Sequence, residues 1–141
     1  MLLSFEIWKK PEPFSFAEIS FFSFQYAGPW GKDSVKYRLE AADGGYTVSI
    51  RKDWGAEDTF AVEEAFLQQL TDLLTEYDVA SWNGFDKNAP DVKDGGDFSI
   101  TIRNAQQERL DASGYEMWPA QFKEVKQELD SLFMGLYEDP S

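Results

Sequence analysis

The sequence predicts an α+β domain in which two helices pack on one face of an antiparallel sheet of about five strands. Three observations lead there. Apolar and polar residues alternate through residues 34–50 and again through 98–103, the period of strands with one buried face. Residues 62–77 and 119–136 instead carry apolar side chains at helical spacing. The strands also come as hairpins rather than one by one between helices. The order is therefore β-β-β-α-β-β-α, and not the repeating βαβ of a parallel sheet. At 141 residues the chain suits a single domain with its own core.

Taken in order, residues 1–13 are either an added strand or a flexible leader. Residues 14–26 are dense in Phe14, Phe16, Phe21, Phe22, Phe24 and Tyr26, which reads as one or two strands ended by the breakers Gly28, Pro29 and Gly31. Val35, Tyr37, Leu39 and Ala41 then share one face of a strand. Asp43-Gly44 signals a two-residue hairpin loop of the I′ type. That loop sets Ala41 opposite Tyr46, Leu39 opposite Val48 and Tyr37 opposite Ile50. On the other face Glu40 meets Thr47 and Arg38 meets Ser49, so turn chemistry and face pattern agree.

A helix over 62–77 places Val62, Phe66, Leu70, Leu73, Leu74 and Tyr77 on one side and Glu64, Gln68, Asp72 and Glu76 on the other. It holds no Lys or Arg. Asp72, Glu76 and Asp78 lie near its C-terminus, where the macrodipole disfavours negative charge. Asp72 and Glu76 also repel as an i,i+4 pair, at a cost of about 0.2–0.5 kcal/mol. Phe98, Ile100 and Ile102 begin a second hairpin. A loop at Asn104-Ala105-Gln106 sets Ile100 opposite Leu110 and Phe98 opposite Ala112, and Gly114 ends the return strand. Pro119 suits a first helical position, ahead of Phe122, Val125, Leu129, Leu132, Phe133 and Leu136.

Composition excludes several chemistries. There is no Cys and no His, so thiolate nucleophiles, disulfides, histidine bases and the usual transition-metal ligands are all missing. The net charge of −13 is concentrated: residues 53–97 hold twelve acids against Lys87 and Lys93, so 2 − 12 = −10. Nucleic acid and anionic membranes are unsuitable partners for such a chain, whereas a basic protein is compatible. No run approaches the roughly 18 apolar residues of a membrane span. Glu6 interrupts the first apolar run and the lysines follow it, the wrong order for a signal peptide, so a cytoplasmic location is expected.

Two places invite a site. Residues 82–97 hold Asp86, Asp91, Asp94 and Asp97, oxygen ligands suited to a hard cation. An EF-hand loop is not formed, since Asp86 and Asn88 match only its first two ligand positions and Asp97 stands where a Glu is required. In the competing view Asn83-Gly84 and Asp94-Gly95-Gly96 supply turns with positive φ, while Trp82 and Phe85 fill the core. The second place is the acidic helix face of Glu64, Asp72, Glu76 and Asp78, which suits a basic partner. Carboxylate-pair hydrolysis directs attention to Asp94, Asp97, Glu108 and Asp111. Trp30 and Trp54, in breaker-rich surroundings, are the tryptophans expected at the surface, where sugars stack. No phosphate-cradling loop and no serine or lysine hydrolase motif occurs, and no cofactor is expected.

The ordered set Trp82-Asn83-Gly84-Phe85-Asp86, Asp94-Gly95, Phe98-Ser99-Ile100-Thr101-Ile102, Ala112-Ser113-Gly114 and Pro119 resembles an uncharacterised family of small bacterial soluble domains, found especially in anaerobic gut Firmicutes. The resemblance covers roughly the last two-thirds of the chain. It implies a common fold and carries no activity or catalytic residue. Trp118 stands where the pattern has a smaller aromatic, and the first 26 residues show no part of it. The residues themselves point to a non-enzymatic, acidic protein-interaction domain, of which an immunity or antitoxin-like partner is one form. A cation- or small-ligand-binding module centred on 82–97 is the alternative, and a carboxylate hydrolase the third.

Overall fold

The computed structural model describes residues 14–138, so the strand or leader expected over 1–13 lies outside the described residues. The chain runs β1 (Ile19–Ala27), β2 (Val35–Ala42), β3 (Gly45–Lys52), β4 (Glu57–Val62), α1 (Glu64–Glu76), β5 (Asp86–Asn88), β6 (Asp97–Asn104), β7 (Arg109–Tyr115) and α2 (Phe122–Glu138). The α+β class matches the sequence, but the strand count does not. One seven-stranded sheet, ordered β4-β3-β2-β1-β6-β7-β5, replaces the expected five, and it is mixed because β5 runs parallel to β7. The first helix therefore follows the fourth strand instead of the third, and three strands separate it from α2.

The two extra strands are both edges. In β4, Phe60 and Val62 pair with Val48 and Tyr46, while Glu57 and Asp58 keep the rim charged, a common guard against edge-to-edge association. β5 is three exposed residues, Asp86, Lys87 and Asn88, held to β7 through backbone alone. No side-chain alternation announces such a strand. Residues 14–26 yield one strand, β1, which enters through Glu18 at φ 55° and a register irregularity between Ile19 and Phe21.

The β2–β3 hairpin has the register that face matching demands, with Ala41 opposite Tyr46, Leu39 opposite Val48 and Tyr37 opposite Ile50. Its loop departs from the I′ type. Gly44 takes φ 79° but Asp43 does not join it among the positive-φ residues, so one left-handed residue makes the reversal. The β6–β7 register is corrected by two residues: Ile100 faces Ala112, Ile102 faces Leu110 and Phe98 faces Gly114. The loop does have three residues, but they are Ala105, Gln106 and Gln107, with Asn104 donating its backbone N–H to Glu108 at 3.2 Å and Gln107 at φ 66°. The Asn104 amide decides this. Its oxygen accepts from the N–H groups of Gln106 and Glu108, and its nitrogen donates to Ser15 and to Glu108. A two-residue shift keeps every side chain on its face, so alternation alone does not distinguish the registers.

Phe22, Phe24, Tyr37, Leu39, Val48, Ile50, Ile100, Ile102, Leu110 and Ala112 form the buried side of the sheet. Phe133 of α2 seats against it, stacked on Tyr37 at 4.6 Å and Phe22 at 5.8 Å. Phe66 of α1 meets Phe133 edge-on at 5.2 Å, and Leu67, Leu70, Leu73 and Leu74 continue the core. The buried Tyr37 hydroxyl donates to Asp130 at 2.5 Å, and Lys126 pairs with the same carboxylate at 2.7 Å. Burial first, and then Asp130, push the Tyr37 phenol far above its ordinary range. Pro119 precedes α2 by three residues rather than opening it, its carbonyl accepting from the Phe122 N–H.

Candidate functional site

Residues 82–97 form a packed corner. Trp82 is 1% exposed, lies against Phe98 and Phe122, and donates its indole N–H to the Ala120 carbonyl at 3.0 Å. Phe85 is half-buried beside Phe98. Gly84 takes φ 88°, as a turn glycine should. Gly95 and Gly96 do not. They are glycines for want of space: a Cβ on Gly95 would meet Glu116 at 2.3 Å, and one on Gly96 the Ala27 carbonyl at 2.9 Å. Their N–H groups donate to the Tyr115 hydroxyl (2.8 Å) and the Glu116 carboxylate (2.6 Å). The positive φ in this stretch falls on Asp94 instead, at 54°.

The four aspartates of this corner are exposed, and among the described residues no group of three acids comes together to hold a metal ion. Asp86 lies on β5 and Asp97 opens β6, while Asp91 and Asp94 occupy the loop between. The carboxylates considered for hydrolysis are also dispersed. Asp97 and Thr101 lie on one face of β6, and Thr101 stands opposite Asp111. Four residues of strand therefore separate Asp97 from Asp111, about 13 Å, beyond the roughly 5–9.5 Å of glycosidase pairs. Asp111 is held by Arg109 at 2.6 Å and by the Thr101 hydroxyl at 2.8 Å. That hydrogen bond to Arg109 brings the Asp111 carboxyl below its ordinary value, the reverse of what a general acid needs. Partial burial pushes the Asp97 carboxyl up. Glu108 accepts from the Asn104 amide and closes the turn.

The acidic helix runs Glu64–Glu76 instead of 62–77, because Val62 pairs with Tyr46 as the last residue of β4, but its exposed face is the one the spacing indicates. Glu64, Gln68, Asp72 and Glu76 are exposed along α1. Gln68 donates to Asp72 at 2.8 Å, and Glu64 accepts from the Tyr46 hydroxyl at 3.2 Å. No Lys or Arg forms an ion pair with any of them among the described residues. Asp78 follows the helix in a left-handed conformation, φ 49°. What the sequence did not show is a second contribution. Burial and then the charges of Glu128, Glu76 and Glu124, in that order, raise the half-buried Tyr77 phenol. Charges from both helices therefore act on this tyrosine, at the C-terminal end of α1. Glu124 and Glu128 are an i,i+4 pair on α2, and that spacing was their only signal.

The opposite side of the sheet has another character. Ser23, Ser49, Thr47, Thr101 and Ser99 lie there, and so do all four arginines of the chain, Arg38, Arg51, Arg103 and Arg109. Arg38 reaches Glu40 at 3.3 Å, and the Arg103 guanidinium lies 4.7 Å from the Phe21 ring centre. At one end of this face are Trp30 and Trp54, 75% and 72% exposed as their neighbourhoods suggested. Among the described residues no helix is long and apolar enough to cross a membrane. Compared with known proteins, the chain matches no protein-family model and no curated sequence.

Proposed function

We propose that the protein is a non-enzymatic protein-interaction domain that presents its acidic helix layer to a basic surface of a protein partner. The observation that carries this reading is the row of exposed carboxylates Glu64, Asp72 and Glu76 along α1, with Asp78 just beyond it, none of them in an ion pair among the described residues. The charges of Glu124 and Glu128 from α2 add to that of Glu76, all three acting on the Tyr77 phenol. Like charges gathered in this way weaken the isolated fold but steer and orient a cationic partner. A tyrosine in their midst supplies the rigid, amphipathic anchor that interface centres favour. One specific form is an immunity or antitoxin-type protein that neutralises a basic toxin in the cytoplasm, an analogy resting on charge.

We also infer a common fold with the small bacterial domains that the sequence resembles. Trp82, Phe85, Phe98 and Gly114, four residues of the shared pattern, meet in the single corner described above. The test of function is affinity capture from host cells at two salt concentrations, with E76K/E124K/E128K beside the natural protein. Basic proteins are expected to be retained at low salt, released at high salt, and lost by the variant. An identical set of captured proteins with the variant would refute the acidic face.

A further inference from the structure

A cleft of about 100 Å³ opens at the end of the open sheet face, between the loop after β1 and the turn after β3. Gln25, Lys36 and Arg51 line it from neighbouring strands, with Asp53 and Trp54 from the turn. Three observations set it apart from the rest of the surface. The first is the indoles. Trp54 walls the cleft, and Gly31, next to Trp30, lies against the Trp54 indole nitrogen, 3.8 Å from where a Cβ would stand.

The second is backbone strain. Trp30, Asp33, Asp53 and Trp54 take φ of 65°, 56°, 46° and 64°, each a conformation that costs an L-residue free energy. Neither exposed indole repays that through burial in the core. The loops are nevertheless fixed. Ser34 N–H donates to Asp53 Oδ1 (3.1 Å), Asp53 N–H to the Ser34 carbonyl (2.8 Å), Ser34 Oγ to the Gly31 carbonyl (2.7 Å), and Trp30 N–H to the Asp94 carbonyl (3.1 Å).

The third is charge. Lys36 stands directly opposite Arg51, an arrangement that is unfavourable in a sheet. The other opposed pair, Arg103 and Arg109, is relieved by the Phe21 ring and by Asp111. Lys36 and Arg51 have no ion pair among the described residues, although Glu57 faces Arg51 from β4.

The geometry points to a binding site for a pyranose bearing one carboxylate, a uronic-acid-type saccharide. The cleft has the room of roughly three waters, which fits a carboxylate group rather than a whole ring. Lys36 and Arg51 take that carboxylate by charge-assisted hydrogen bonds. The ring stays outside with its apolar C–H face on Trp54, an indole face being a broad apolar surface with negative π-density. Gln25 and the second oxygen of Asp53, which no described residue occupies, serve the hydroxyls. A polyphosphate chain is the poorer occupant, because the net charge of −13 repels a polyanion at long range.

Calorimetric titration with sodium D-glucuronate, together with tryptophan fluorescence, tests this on the full chain, with D-glucose and benzoate as parallel arms. Glucuronate is expected to bind in the millimolar range and quench the emission. Glucose is expected to bind at least about tenfold more weakly, as is glucuronate to K36Q/R51Q. W54A, altered at an exposed side chain, should lose the quenching while keeping its melting temperature. Silence at tens of millimolar glucuronate overturns the site, and so does quenching that survives W54A. Equal binding of glucose overturns the role of the carboxylate. Benzoate bound as tightly as glucuronate replaces the saccharide with an aromatic acid.

Discussion

The two faces of the one sheet differ in what holds them. On the helix-covered face, Phe22, Tyr37, Leu39, Val48, Ile50 and Ile100 are fully or almost fully buried, and Phe133 rests on the first two. On the open face the same strands carry Ser23, Lys36, Arg38, Thr47, Ser49, Arg51, Ser99 and Thr101. The covered face is held by apolar burial and close packing. The open face is held by backbone pairing, with side-chain contacts such as Arg109 to Asp111 that lie in water and contribute little. Residues of the covered face therefore answer for stability, and those of the open face are free to serve a ligand.

The sharpest test of that division is Phe133→Ala. It removes three aromatic contacts from a fully buried position and should cost about 3–5 kcal/mol in urea unfolding. A cost below that of an exposed truncation would break the comparison. Gly114→Ala comes next, because the new Cβ would stand 2.2 Å from the Met117 carbonyl and 2.9 Å from Phe98. Overpacking of about 1–3 kcal/mol is expected, read as a lowered denaturation midpoint. Asn104→Ala removes the amide that sets the β6–β7 turn and should cost about 1–2 kcal/mol. Amide hydrogen exchange should then quicken at Gln106 and Glu108 first.

The pH dependence distinguishes the faces without mutation. Burial first, and then the hydrogen bond to Asp58, push the Tyr137 phenol to about 12, and Tyr37 is raised further. Below the unfolded value near 10 both phenols are protonated in both states, so their contribution is fully present. Above it the unfolded chain releases protons that the folded one retains. Stability should therefore fall as pH rises from 10 through 12, and Tyr137→Phe should flatten part of that slope in urea midpoints. The smallest effect is expected for Arg109→Ala on the open face, about 0.5 kcal/mol or less. A loss above 1 kcal/mol would show that the open face carries stability after all.

Much of this was legible in the residues. Alternation at period two assigned the covered and open faces of β2 and β3 correctly, and face matching across Asp43-Gly44 gave their pairing residue by residue. The stripe of Phe66, Leu70, Leu73 and Leu74 defined the buried side of α1. The shift in β6–β7 was not legible, because a two-residue slide leaves the apolar faces matched and only the Asn104 amide, bonded to Gln106, Glu108 and the distant Ser15, selects between the registers. The edge strands β4 and β5 were missed because an edge needs only backbone pairing, and exposed Asp, Lys and Asn satisfy it as well as Val does.

The candidate sites divide in the same way. The exposure of Trp30 and Trp54 and the acidic stripe of α1 follow from local sequence, since Gly, Pro and helical spacing act over a few residues. That charges from α2 reach Tyr77 was decided by tertiary structure alone. The facing of Lys36 and Arg51 already followed from the β2–β3 register, and only the cleft that the loop after β1 closes over them needed the tertiary structure. Local propensity fixes which face a side chain takes. Which distant side chain stands beside it depends on how helices and loops dock, where long-range packing and loop closure outweigh any local preference.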